Sequence, residues 1–127
     1  MAFSLSHCAA GGLCAAAWGP SRIGADWEGV EPREEAVVRL YAHPEEISEA
    51  LLSSPEEATR LWTLKEAVLK LLGTGLACDP RDVRGLPGLE LHGSARGRWE
   101  ELGRPRIAVE HTRRGTAVVC VARTEGD

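Results

Sequence analysis

The chain has no excess of basic residues: 15 Lys and Arg against 19 Asp and Glu give a net charge of −4. Nucleic-acid binders need a basic footprint, so DNA or RNA is not expected as a partner. No apolar run is long enough to cross a bilayer, and no basic stretch precedes an apolar one near Met1. We therefore expect a cytoplasmic protein with no membrane partner. The four cysteines, Cys8, Cys14, Cys78 and Cys120, form no C-x-x-C pair. Buried free thiols in a reducing compartment are the expectation; a zinc site from His7, Cys8 and Cys14 lacks the usual spacing. Internal repeats and low-complexity tracts are missing too. What remains is 127 residues, 43% hydrophobic and 27% charged, which suits one globular domain over residues 1–127.

Phe3-Ser4-Leu5-Ser6 alternates apolar and polar as a strand does. Gly11-Gly12 predicts a turn, and Leu13 to Trp18 a returning hairpin strand. After a turn at Gly19-Pro20-Ser21, Arg22 to Glu28 predicts a third strand. Its alternation puts Ile23, Ala25 and Trp27 on one face and Gly24, Asp26 and Glu28 on the other. Residues 33–41 and 45–52 read as short helices around His43-Pro44, with Pro44 at a first helical position. The main helix starts at Ser54, where Ser54 and Glu57 form a capping box and Pro55 fits the first turn. Ala58, Leu61, Leu64, Val68, Leu71 and Leu72 give it an apolar stripe, and Gly73 stops it. Residues 89–92, 106–110 and 116–121 read as strands, the last two joined by a turn at Arg113-Arg114-Gly115. The fold class is α+β: an antiparallel sheet packed against one long helix and shorter helices.

Trp62, Glu66 and Lys70 recur every fourth residue and share one face of the long helix. A Glu–Lys pair at this spacing is ordinarily a surface ion pair. Asp26 and Glu28 on the third strand change its meaning if the two elements meet. Three carboxylates facing one point offer hard oxygen donors to a cation such as magnesium. A lysine beside them then asks for a polyanionic ligand, which is the equipment of phosphoryl transfer. Trp62 by itself reads as a core anchor. His43, His92 and His111 have no obvious partners and read as surface residues.

Ile23-Gly24-Ala25-Asp26-Trp27-Glu28 and Trp62-Thr63-Leu64-Lys65-Glu66-Ala67-Val68-Leu69-Lys70 resemble the two signature motifs of the 4′-phosphopantetheinyl transferases. Phe3-Ser4-Leu5-Ser6-His7 and Gly73-Thr74-Gly75-Leu76 also fit that family. With Ser6-His7 ahead of the acidic strand, the motif order resembles the surfactin-synthetase-activating type, and the chain resembles its C-terminal half. The resemblance implies transfer of phosphopantetheine from coenzyme A to a serine of an apo acyl or peptidyl carrier protein, with release of 3′,5′-ADP. It implies Asp26, Glu28 and Glu66 as magnesium ligands. Glu66, or a water on the metal, would be the base. Lys70 would steady the phosphate, and Ser6, His7 and Lys65 would contact coenzyme A. An exposed helix lysine is the alternative for Lys65. Trp27 departs from the family, which usually has an aliphatic residue there.

The surfactin type joins two similar halves around its active site. A lone half implies a homodimer that rebuilds the cleft, a separate protein that supplies the missing half, or a silent relative. The competing class is a binding module that recognises coenzyme A or a carrier protein without turnover. It would recognise an acidic helix through Arg96, Arg98, Arg104, Arg106, Arg113 and Arg114.

Overall fold

The computed structural model describes residues 2–8, 11–17 and 21–125; within the first two stretches it describes the side chains of Ser4 and Ala15 alone. Strands β1 (Ala2–Cys8) and β2 (Gly11–Ala17) form an antiparallel hairpin. Gly11 and Gly12 lie inside β2, opposite Cys8 and His7, rather than in the expected turn. Strand β3 (Ile23–Gly29) pairs with β7 (Ala117–Glu125), which pairs on its other side with β6 (Arg106–Arg114). Both pairings are antiparallel. The β6–β7 strands run three to four residues further than the sequence predicts, because alternating side chains keep the ladder in register up to Gly115. Gly115 has φ +60°, the left-handed conformation that a tight hairpin turn demands.

Helix α1 (Glu35–Tyr41) is followed by a 3-10 turn at Pro44–Glu46, then α2 (Glu49–Ser53) and α3 (Pro55–Leu72). The expected 45–52 helix is thus split. Ser48 accepts a hydrogen bond from the Leu51 amide and starts α2 afresh. For α3 the expected boundaries hold. The Ser54 hydroxyl accepts from the Glu57 amide at 3.2 Å, and Gly73 ends the helix at φ +74°. The last carbonyls find side-chain donors: Arg22 Nε donates to Leu71 O at 2.8 Å, and Arg98 Nε to Leu72 O at 2.9 Å.

A further helix, α4 (Gly93–Glu101), sits where no element is expected. Its two internal glycines and few apolar residues hide it from periodicity arguments. Only Ala95 and Trp99, one turn apart, carry the signal; Ala95 is fully buried and Trp99 donates its indole N–H to Pro105 O at 2.7 Å. Two short strands, β4 (Val83–Arg84) and β5 (Glu90–Leu91), pair beside it.

The core lies between α3 and the sheet, with Val68, Leu69, Leu71 and Leu72 of α3 against Cys120 and Ala122 of β7. A second cluster joins α3 to α1 and α2 through Val38, Tyr41, Leu51 and Leu61. Each fully buried leucine contributes about 1.5–3 kcal/mol. Because α3 is packed on two sides, Thr59, Thr63 and Lys65 are also buried. The two threonines return their hydroxyls to Pro55 O and Thr59 O. Cys78 and Cys120 are buried free thiols, and burial with Asp26 nearby pushes the Cys120 thiol up to about 12. Cys8 and Cys14 side chains lie outside the described residues.

Candidate functional site

The site starts from a glycine. A Cβ on Gly24 would lie 1.9 Å from Ala67 O and 2.5 Å from Leu71 N. The backbones of β3 and α3 therefore touch at this position, which no side chain could share. Asp26 follows two residues later on the same face of β3. On α3, Glu66 and Lys70 immediately precede the two contact residues, Ala67 and Leu71. The missing Cβ thus brings a strand carboxylate and two charged helix residues within reach of one another.

Asp26 is 4% exposed. Its Oδ1 lies 3.3 Å from Lys70 Nζ, which also donates to Ala25 O at 3.1 Å. Lys70 keeps 29% of its side chain exposed. Burial raises the Glu66 carboxyl above the usual 4.5; Asp26 raises it further, and Lys70 partly offsets both. Burial and Asp26 raise Glu28 as well, against Arg33 and a hydrogen bond from the Trp62 indole. Asp26 therefore contacts Lys70 and acts electrostatically on both Glu66 and Glu28, which come from two separate segments.

Two of these contacts were not legible in advance. Trp62 packs half-buried against the second core cluster, its ring centroid 5.0 Å from that of Tyr41, and its indole also favours the ionised form of Glu28. The Trp62–Glu66–Lys70 spacing already put it on the working face. Arg33 carries no sequence signal, since its charge acts on Glu28 from the loop before α1.

Lys65 does not join this group. Its side chain is fully buried and its ammonium is bonded to Glu46, Pro80 O and Val83 O, so it is not an exposed helix lysine. Ser6 and His7 lie on β1, and their side chains fall outside the described residues. The neighbouring Ser4 hydroxyl accepts the Ala25 amide at 2.8 Å, which seats β1 against the acidic strand. Of the other histidines, His43 caps the 44–46 turn through Nδ1, His92 lies 3.1 Å from Glu90, and His111 meets Arg60 O at 3.1 Å. Burial lowers the His111 pKa, so it is more interior than expected. The arginine-rich end is largely spent within the chain. Arg98 pairs with Glu101, Arg104 with Glu100, Arg106 with Glu125 and Arg113 with Glu56.

Asp26 raises both Glu66 and Glu28, so Asp26→Asn should lower the titration midpoints of both. Carboxyl carbon shifts followed against pH in the metal-free protein would measure this; midpoints that stay in place would contradict the arrangement.

Among the described residues no group of three or more His, Cys, Asp or Glu side chains is gathered as a ready cation cage. No helix among them is long and apolar enough to cross a membrane.

The family model of the 4′-phosphopantetheinyl transferase superfamily matches residues 22–120. Holo-[acyl-carrier-protein] synthases from two strains of Nitratidesulfovibrio vulgaris, DP4 and Hildenborough, are each 34% identical over 94 residues. Those matches span 65% of this chain and 76% of each relative. Among solved structures, the Chronobacterium ammoniagenes ACPS–CoA complex superposes with a TM-score of 0.65 at 16% identity, covering 84% of this chain and 98% of that one. The holo-ACP-synthase of Plasmodium yoelii gives the same TM-score at 20% identity, covering 84% and 94%. The fold, the acidic strand against the Glu66–Lys70 helix, and a family match that contains both lead to one conclusion: the chain belongs to the 4′-phosphopantetheinyl transferase superfamily, enzymes that move phosphopantetheine from coenzyme A to an apo carrier protein.

Proposed function

We propose that the chain performs this transfer with Asp26, Glu28, Glu66 and Lys70 as its working groups. The observation that carries the reading is the crossing of β3 and α3 at Gly24, which sets Glu66 and Lys70 beside Asp26. The donor chemistry fits a hard divalent cation. Asp26 raises the pKa of both Glu28 and Glu66, each already raised by burial, a repulsion that a cation relieves. Asp26, Glu28 and Glu66 would hold magnesium, which when bound supplies charge neutralisation at the pyrophosphate. The Chronobacterium ammoniagenes structure that shares this fold is a complex with CoA, which supports coenzyme A as the donor.

In the reaction the carrier serine oxygen bonds to the phosphorus next to the pantetheine arm, and the pyrophosphate P–O bond breaks. The serine proton passes to Glu66, which acts as the general base. Lys70, tethered at Ala25 O and Asp26, directs its remaining charge at the phosphates as 3′,5′-ADP departs. Arg33 and Trp62 both favour the ionised form of Glu28. Ser6 and His7, on the strand beside β3, are assigned to the phosphates of coenzyme A from the motif.

Incubation with coenzyme A, magnesium and several apo carrier proteins, followed by mass spectrometry of the carriers, tests this. A phosphopantetheine mass gain is expected; its absence on every carrier would sink the reading for the isolated chain.

Ser6-His7 ahead of the acidic strand supports the surfactin-synthetase-activating type, with the chain as a C-terminal half. The β1–β2 hairpin lies outside the family match at 22–120, in line with that reading. On it, a homodimer rebuilds the cleft. Sedimentation at assay concentration should give twice the chain mass, and an active monomer would refute the dimer. The near-complete coverage of the two matched synthase chains, 98% and 94%, favours a second reading, in which the chain is a short-type enzyme. A preference for acyl over peptidyl carriers in the same assay would select it.

A further inference from the structure

Lys65 is among the largest fully buried side chains of the protein. Its ammonium donates to Glu46 Oε1 at 2.7 Å, to Pro80 O at 3.0 Å and to Val83 O. All three of its donors are used. Glu46 is 3% exposed and equally committed. Besides Lys65, its Oε1 accepts the His43 amide and its Oε2 the Gly85 amide, both at 2.8 Å. One buried ion pair thus closes three segments: the 43–46 turn, the 80–85 segment and α3. Burial disfavours the Lys65 ammonium, and Glu46 opposes that loss.

The pair stands next to the site by two routes. Lys65 precedes Glu66, and adjacent helix residues lie about 100° apart around the axis. Anchoring Lys65 therefore fixes the rotation at which Glu66, and Lys70 one turn on, face β3. The second route runs through Glu46. The turn it anchors follows α1, whose Tyr41 packs at a tilt against Trp62 and donates to Ala58 O at 3.1 Å. Trp62 in turn lies close enough to Glu28 to favour its ionised form.

We propose that Lys65 and Glu46 are positioning residues, a buried clamp that aims Glu66, Lys70 and Trp62 at the Asp26–Glu28 strand without touching substrate. This rests on the transferase reading above. It also reassigns Lys65, the motif lysine expected at coenzyme A. A buried pair is not needed for stability as such. Apolar replacements of similar volume are often neutral or stabilising, whereas removing one partner leaves a costly lone charge.

The test compares wild type, Lys65→Met and the double variant Lys65→Met/Glu46→Leu. Three quantities are read: melting temperature, kcat and KM for coenzyme A with an apo carrier protein, and the indole N–H resonance of Trp62 with its solvent exchange. Lys65→Met should melt well below wild type, and the double variant should recover most of that loss. At recovered stability, kcat should stay at least tenfold down and KM for coenzyme A within twofold. The Trp62 indole should exchange at least tenfold faster. A double variant with wild-type kcat and an unchanged Trp62 resonance would reduce the clamp to a dispensable core contact. A change in KM alone would return Lys65 to the substrate.

If the double variant does not fold, Glu46→Gln carries the same readouts. It keeps the shape and removes the charge; a kcat drop of at least threefold with a moved Trp62 signal is expected, and wild-type values for both overturn the proposal. If wild type itself transfers nothing, the transferase reading fails, and the Trp62 signal alone decides whether the clamp orients the helix.

Discussion

Gly24→Ala is expected to abolish cooperative folding, or to leave a chain that melts far below wild type. Its methyl would sit 1.9 Å from Ala67 O and 2.5 Å from Leu71 N, atoms of the α3 backbone that cannot rotate aside. Ordinary overpacking against side chains costs about 1–3 kcal/mol; here relief requires lifting a whole helix off the sheet. That movement also parts Asp26 from Glu66 and Lys70. Any folded fraction should therefore lose transferase activity beyond its loss of stability. Urea melts followed by circular dichroism measure the first effect, and activity per folded molecule the second. A variant that melts like wild type would mean that β3 and α3 do not cross as described. The same substitution at Gly97 in α4, where a Cβ meets nothing within 4 Å, serves as the control.

That contact marks the boundary of what could be read in the chain. Alternation alone places Gly24, Asp26 and Glu28 on one face, and helical spacing alone aligns Trp62, Glu66 and Lys70. Both are local periodicities, and both hold. The meeting of the faces is a tertiary fact, and its sequence trace is the single glycine before Asp26. The fate of Lys65 was hidden for the same reason. Whether a lysine beside a helix's working face points to solvent or to the interior depends on what packs there. Its partners lie 19 residues upstream at Glu46 and 15 and 18 residues downstream at Pro80 and Val83. Helix α4 was missed because glycines dilute its pattern. The long helix was found to the residue because its ends are set by neighbours in sequence, Ser54 and Gly73.

Glu66→Gln should cut kcat by about 10²–10⁴-fold, the usual worth of a positioned base, and more if the residue also holds the metal. Stability should move the other way. Burial and Asp26 raise the folded-state pKa of Glu66 above the unfolded value near 4.5. The ionised carboxylate is therefore the costlier form in the folded protein. That cost is absent below the unfolded pKa and grows as pH rises through the folded one. At pH 7 the variant should melt at or above the wild-type temperature, and the difference should vanish in acid. Stability gained with activity lost would identify a charge kept for function. Wild-type activity would remove Glu66 from the chemistry. Activity lost together with stability would make it a structural residue.

Strand β6 bears on assembly in a further way. It is the outer strand of the β3–β7–β6 sheet, and it is lined with charge: Arg106, Glu110, Arg113 and Arg114. Charged outer strands discourage another chain from extending the sheet. Several of these side chains are also tied inward or across, Arg113 to Glu56 and Glu110 to Arg123. Growth of the sheet from that side into an open-ended ribbon is thereby opposed, even at concentrations that drive the chain to self-associate. A closed assembly of finite size, approached from some other face, is the kind of association that this border leaves open.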